Sequence, residues 1–176
     1  MKITDKTTCE VFRMLIKDNT TYDQLKIILQ DKLKEIKLDD LYELSYIFND
    51  DVKYLPDKYK ADYRKIISKL MIRRYNLLKN DKQKYPRIID SKDLENINEL
   101  LNKEYDEKIL NKFNIILIYT IYFLKEPIHP RESIFPGLKS ISYDGKFYYC
   151  PIKKYHINNE KSICKYCIAK ECDEND

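Results

Sequence analysis

A chain of 176 residues with 43% hydrophobic residues is long enough for one packed domain and too apolar to be disordered. Its net charge, +4 from 33 basic and 29 acidic residues, is too mild to imply nucleic acid by itself, and Met1–Glu10 lacks the apolar core of a signal peptide. Only two glycines occur, Gly137 and Gly145, which argues against a sheet-rich fold before residue 137, because tight turns draw on glycine; helices are expected there instead.

Thr7–Asp18 reads as a first helix, with Val11, Met14 and Leu15 at helical spacing. Thr20 or Thr21 caps a second, and Gln24 lies where a capping box requires it. Leu25, Ile28, Leu29, Leu33 and Ile36 make its apolar stripe. Asp39 or Asp40 caps a third, running through Leu41, Leu44 and Phe48 to about Asn49–Asp51. Pro56 suits the first turn of a fourth, longer helix reaching Asn80. Tyr59, Tyr63, Ile66, Ile67, Leu70 and Leu77 are expected on its inner face. Tyr85-Pro86 interrupts the pattern, and Ser91 caps a fifth helix carrying Leu94, Ile97, Leu100 and Leu101. A sixth covers Asp106–Lys125. Its apolar run, Ile115–Leu124, falls short of the roughly 20 residues that span a bilayer, so it reads as the buried centre of a bundle.

The pattern changes at Pro127. Four of the six prolines and both glycines lie between residues 127 and 151. Asp144-Gly145 between Ile141–Tyr143 and Lys146–Tyr149 predicts a hairpin with a type I′ turn. The fold expected is therefore mainly α, about six helices over 1–126, with a β-hairpin and a small cysteine-rich metal knuckle over 127–176 packed on them as one domain.

The cysteines are Cys9, Cys150, Cys164, Cys167 and Cys172, and four of the five fall between 150 and 172. With no secretion signal, such clustering favours metal over disulfides. Cys164 and Cys167 form a C-x-x-C pair, whose spacing lets both sulfurs meet one ion across a tight turn. Cys150 ends the hairpin, and a hairpin end plus such a turn is a common way to build a small zinc site. For the fourth ligand, Cys172 and His129 both qualify, with His156 a weaker third. Other readings of the cluster are small core residues, an iron–sulfur site on four thiolates, and a redox pair, though no thioredoxin-like unit surrounds it.

The segment His129-Pro130, Phe135-Pro136-Gly137, Gly145, Tyr148-Tyr149-Cys150-Pro151 and Cys164-x-x-Cys167-Ile168-Ala169 resembles an uncharacterised archaeal family, found mainly in methanogens and known as a domain of unknown function. The resemblance covers 127–170 and implies a cytoplasmic protein without an assigned activity. Its recurring His-Pro and three cysteines fall on His129, Cys150, Cys164 and Cys167, which favours a set of three cysteines and one histidine, with Cys172 an addition. The chain departs from the family at Leu138, where a second glycine is expected.

Two further possibilities remain. Lys58, Lys60, Arg64, Lys65, Lys69, Arg73, Arg74, Lys79, Lys82, Lys84 and Arg87 face only Asp62 and Asp81 in one stretch, with Tyr59, Tyr63, Tyr75 and Tyr85 interleaved. That pattern could serve phosphates and bases, or simply be a solvated helix face. Arg131 and Glu132 could line a cleft beside the metal; if His129 and Cys172 both stayed off it, an open, catalytic metal would result.

Overall fold

The computed structural model of the chain describes residues 16–44, 56–103, 108–159 and 162–172. Among these residues the helices are α1 (Tyr22–Leu33), α2 (Leu38–Leu44), α3 (Asp57–Asn80), α4 (Ser91–Asn102), α5 (Lys108–Tyr119) and a short α6 (Lys153–His156). The helix expected over Thr7–Asp18 lies outside the described residues except for 16–18, which are not helical. Past Leu44, the expected third helix also lies outside them.

Local sequence sets the helix starts. The Thr21 hydroxyl accepts the Gln24 N–H at 3.3 Å, and the Gln24 side chain accepts the Thr21 N–H at 2.8 Å. This reciprocal box satisfies two donors that α1 would otherwise leave open. Thr21→Ala is expected to cost about 1 kcal/mol, lowering a thermal midpoint by about 2–4 °C. At α4 the cap is Asp90, which accepts the Asp93 N–H at 2.9 Å, and the expected Ser91 is the first helical residue. Aspartate is the stronger acceptor beside the positive helix end. At α2, Asp40 lies inside the first turn and reaches back to accept the Lys37 N–H at 2.7 Å.

The apolar run lands at the centre, as its composition requires. Every residue from Phe113 to Tyr122 is buried, and α5 packs against α1, α2, α3 and α4. Full burial of such side chains stabilises the fold by roughly 1.5–3 kcal/mol each. The helix closes in a π turn, Thr120–Leu124, and Lys125 then takes a left-handed conformation with φ 53°. No helix among the described residues is long and apolar enough to cross a membrane.

The inner stripe of α3 differs from the expected one. Tyr63, Ile67, Met71, Arg74 and Leu78 are buried, whereas Tyr59 and Leu77 are 37% and 38% exposed. Successive steps of four, four, three and four residues keep the stripe on one side of the helix. A helical wheel drawn on apolar residues alone misplaces it, because one member is an arginine.

Tyrosine hydroxyls tie the helices to acids. Tyr85 and Tyr119 both donate to one oxygen of Asp81 at 2.9 Å, and Tyr22 donates to Asp93. Burial first, then the neighbouring carboxylate, pushes Tyr22 and Tyr85 from 10.0 up to about 12. A raised tyrosine pKa means the protonated ring is the form the fold holds. The stabilisation is complete below pH 10 and is lost as pH climbs through about 12. Circular dichroism against pH should therefore show unfolding beginning above pH 10, and Tyr22→Phe should blunt it.

After Pro127 the chain builds a three-stranded sheet: β1 (Ser142–Tyr143), β2 (Tyr148–Cys150) and β3 (Lys170–Glu171), in the order β1-β2-β3. The expected hairpin is present, with Ser142 opposite Tyr149 and Tyr143 opposite Tyr148. Its turn is not type I′. That turn needs positive φ at two successive residues, and here Gly145 alone has it, at 95°. Asp144 organises the turn instead, accepting the N–H groups of Lys146 and Phe147 at 2.7 and 2.6 Å and the Tyr149 hydroxyl at 2.8 Å. β3 runs parallel to β2, with Lys170 beside Tyr149 and Glu171 beside Cys150.

Candidate metal centre at the C-terminal knuckle

Cys150 ends the central strand β2 and is buried with Phe135, Ile141 and Ala169. Cys164 opens a single 3-10 turn, Cys164–Tyr166, and Cys167 follows it, its N–H donating to the Cys164 carbonyl at 3.2 Å. Cys167 packs against the same small cluster as Cys150. The tight turn therefore carries the C-x-x-C pair to the strand end, as the spacing implies.

Backbone amides aim at the sulfurs. The Cys150 sulfur receives N–H groups from Ile152 and Lys153. The Cys167 sulfur receives the Ile128 N–H at 3.5 Å. Burial first pushes the Cys150 thiol up to about 11, and the charges of Cys167 and Cys164 add to that, while the two amides oppose it. The three sulfurs thus lie within range of one another's charge.

The other sequence candidates fall as follows. His129 is 7% exposed and sits edge-on to Phe135, with ring centroids 5.5 Å apart. It is the next residue after Ile128, whose amide meets Cys167, so it belongs to this end of the molecule. Cys172 is half-buried one residue beyond β3, and His156 is half-buried at the end of α6. Cys9 lies outside the described residues. No group of three or more His, Cys, Asp or Glu side chains stands in metal-holding geometry among the described residues. The donors are chemically suited and share one region, and their side chains do not converge on one point.

The knuckle is fastened to its surroundings. Lys153 donates to the carbonyls of Cys167 and Ala169 at 2.8 and 2.6 Å, tying α6 to the chain after the turn. Lys165 pairs with Glu99 on α4, and the buried Tyr166 ring belongs to the main core.

One residue here escapes a sequence reading. Arg74 on α3 is 2% exposed and donates to the carbonyls of Pro127 and Ile128 at 2.6 and 2.8 Å. Ile128 offers its carbonyl to Arg74 and its amide to Cys167, so a single peptide segment bridges helix and knuckle. Glu126 accepts two hydrogen bonds from Arg73, at 2.7 and 2.9 Å, and lies 3.7 Å from Arg74 Nε. These two arginines read as phosphate contacts in the sequence. That reading fails for Arg74, which is buried, and Arg73 is held by a carboxylate. Arg64, Lys65 and Lys69 stay exposed, and nothing is described of the Lys58 side chain.

The cleft expected beside the metal is also altered. Glu132 lines a groove of about 320 Å³ with Tyr59, Asp62, Lys65 and Lys69 of α3, and Arg131 instead stands 5.7 Å over the Tyr143 ring.

Comparison with known proteins gives a family without an activity. Residues 21–172 match the family described as an uncharacterised protein conserved in archaea, DUF2115. A UPF0305 protein of Methanocaldococcus jannaschii is 33% identical over 156 residues, covering 83% of this chain and 93% of the relative. A UPF0305 protein of Methanothermobacter thermautotrophicus is 27% identical over 153 residues, with the same coverage, and one of Methanococcus maripaludis strain C6 is 31% identical over 160 residues, covering 81% and 94%. No solved structure matches the chain. With most of its length matched by the family and a third of its residues shared with a relative, this chain belongs to the uncharacterised archaeal family DUF2115.

Proposed function

We propose that residues 127–172 form a structural zinc knuckle, with Cys150, Cys164, Cys167 and His129 as ligands, in a cytoplasmic helical protein that acts by binding or scaffolding. One observation carries the reading: three sulfurs from two distant segments share an enclosed region, and backbone N–H groups point at two of them. Amide donors favour thiolate over thiol, and a thiolate is the form that binds zinc. Ligation requires the four side chains to turn onto a common point, since they do not converge as described. The zinc would add folding energy where two- and three-residue strands supply little.

Metal analysis of the purified full chain tests this directly. The expected content is about one zinc per chain, with Cys164→Ser and His129→Ala each lowering it and Cys172→Ser leaving it unchanged. Less than about half a zinc per chain, with no iron, would sink the proposal. A brown protein carrying iron would turn it to the iron–sulfur alternative.

The exposed Arg64, Lys65 and Lys69 keep a second reading open, in which α3 contacts nucleic acid. Retention on a phosphate-rich resin should then fall steeply with salt. Elution that does not move with salt counts against it.

A further inference from the structure

The charges around the knuckle do not balance. Arg73 and Arg74 contribute two positive charges and Glu126 one negative, leaving +1. Arg73 is half exposed and holds Glu126 by both oxygens, so Arg74 receives only the more distant edge of that carboxylate. Its Nε is buried with no hydrogen-bond partner. The ionised groups whose fields reach this guanidinium are Glu126, Arg73 and Cys167. A buried cation with a shared counter-ion is costly unless another negative group stands near it.

The candidate metal centre supplies such a group. A divalent ion held by three thiolates and a neutral imidazole carries a net −1, and one held by four thiolates carries −2. The first matches the uncompensated +1 beside it; the second leaves a buried negative charge. We propose that Arg74 is the charge partner of the knuckle, a positioning residue that reaches it through the Pro127–Ile128 carbonyls and selects three thiolates plus His129 over a set that includes Cys172. This rests on the zinc reading above and adds which ligand set the rest of the fold is built to accept.

Arg74 acts in two ways in this arrangement. It lowers the energy of the anionic centre through space, and it holds the segment whose Ile128 N–H meets the Cys167 sulfur and whose next residue is His129. Partners of this kind, one shell beyond the ligands, typically change metal affinity by about tenfold to a hundredfold.

The sign of two substitutions tests the charge argument. In the full chain, zinc affinity is measured by competition with a chromophoric chelator. Arg74→Met removes the partner charge and is expected to weaken zinc by about tenfold or more. Glu126→Gln removes the competing negative charge and is expected to tighten zinc severalfold, although it breaks the Arg73 ion pair. A purely structural role would make both substitutions neutral or weakening. Arg74→Lys keeps the charge and should recover much of the affinity. Cobalt replacing zinc supplies a second readout, because its near-ultraviolet sulfur-to-metal intensity counts thiolates. The wild type should show three, and Cys172→Ser should not change the spectrum.

Circular dichroism identifies an Arg74→Met chain that fails to fold. In that case Glu126→Gln, on a half-exposed pair, decides the matter alone. Zinc binding in the wild type with no tightening in Glu126→Gln, or four thiolates in the cobalt spectrum, overturns the inference and leaves the knuckle standing. A wild-type chain that takes up no zinc overturns both.

Discussion

Cys150→Ser is expected to strip the chain of zinc and to loosen residues 127–172 while α1 to α5 stay folded. The argument starts from what holds each part together. The helices share a core in which Leu25, Leu29, Ile67, Met71, Ile97, Leu100 and Ile116 are fully enclosed. The C-terminal cluster has four buried members, Phe135, Ile141, Cys150 and Ala169, and strands of two or three residues. Such a region cannot stand on apolar burial alone, whereas a structural zinc contributes on the order of 10 kcal/mol of binding free energy to the folded form. Serine removes the sulfur that two backbone amides and the strand end position. Hydrogen exchange should speed up at Tyr149, Cys150 and Lys170, and stay slow across α5. A chelator should produce the same pattern in the wild type. Unchanged exchange in the sheet after complete zinc removal would show that the metal is not what organises it.

How much of this was readable beforehand depends on the range of the interaction. The capping box of α1 involves residues three apart, and Thr21 and Gln24 state it outright. The buried helix α5 is equally plain, because ten successive enclosed residues need an apolar run. Asp90 and Ser91 are both good caps, and only the backbone decides between them. The Asp-Gly pair announces a hairpin correctly, but Asp144 uses its carboxylate to hold the loop in a different turn. β3 carries no pattern at all: Lys170 and Glu171 are charged, exposed and paired only through their backbones with β2.

Arg74 fails for a different reason. An arginine in a basic stretch looks like surface, and nothing local marks it otherwise. Its spacing could have raised the question, since Ile67, Met71, Arg74 and Leu78 follow one helical stripe. The acceptors it needs are carbonyls some fifty residues away, in a Pro-containing segment with no helical pattern of its own. The cysteine constellation sits between these cases: residue type and spacing announce it, while the convergence of its side chains is a matter of rotation that spacing does not reach.

Arg74→Leu is expected to be the most damaging single change in the helical part, even in metal-free protein. Burial holds the Arg74 guanidinium down to about 10, so its environment already opposes the charge. The group is retained by its contacts: two carbonyls, Pro127 and Ile128, and the edge of Glu126. Leucine fills part of the volume and satisfies none of them. Each buried carbonyl left without a donor costs about 1–3 kcal/mol, offset in part by no longer enclosing a cation. A net loss of about 3 kcal/mol follows, or a fall of about 6–12 °C in the thermal midpoint. Arg73→Gln provides the contrast. That side chain is 51% exposed, and its pair with Glu126 is screened by water, so about 1 kcal/mol at most should be lost. Equal losses from the two substitutions would mean that α3 and the Pro127 segment are joined by apolar packing, with the buried guanidinium incidental. A much larger loss at Arg74 would establish that the turn into the knuckle is held in place by a single side chain reaching across from α3.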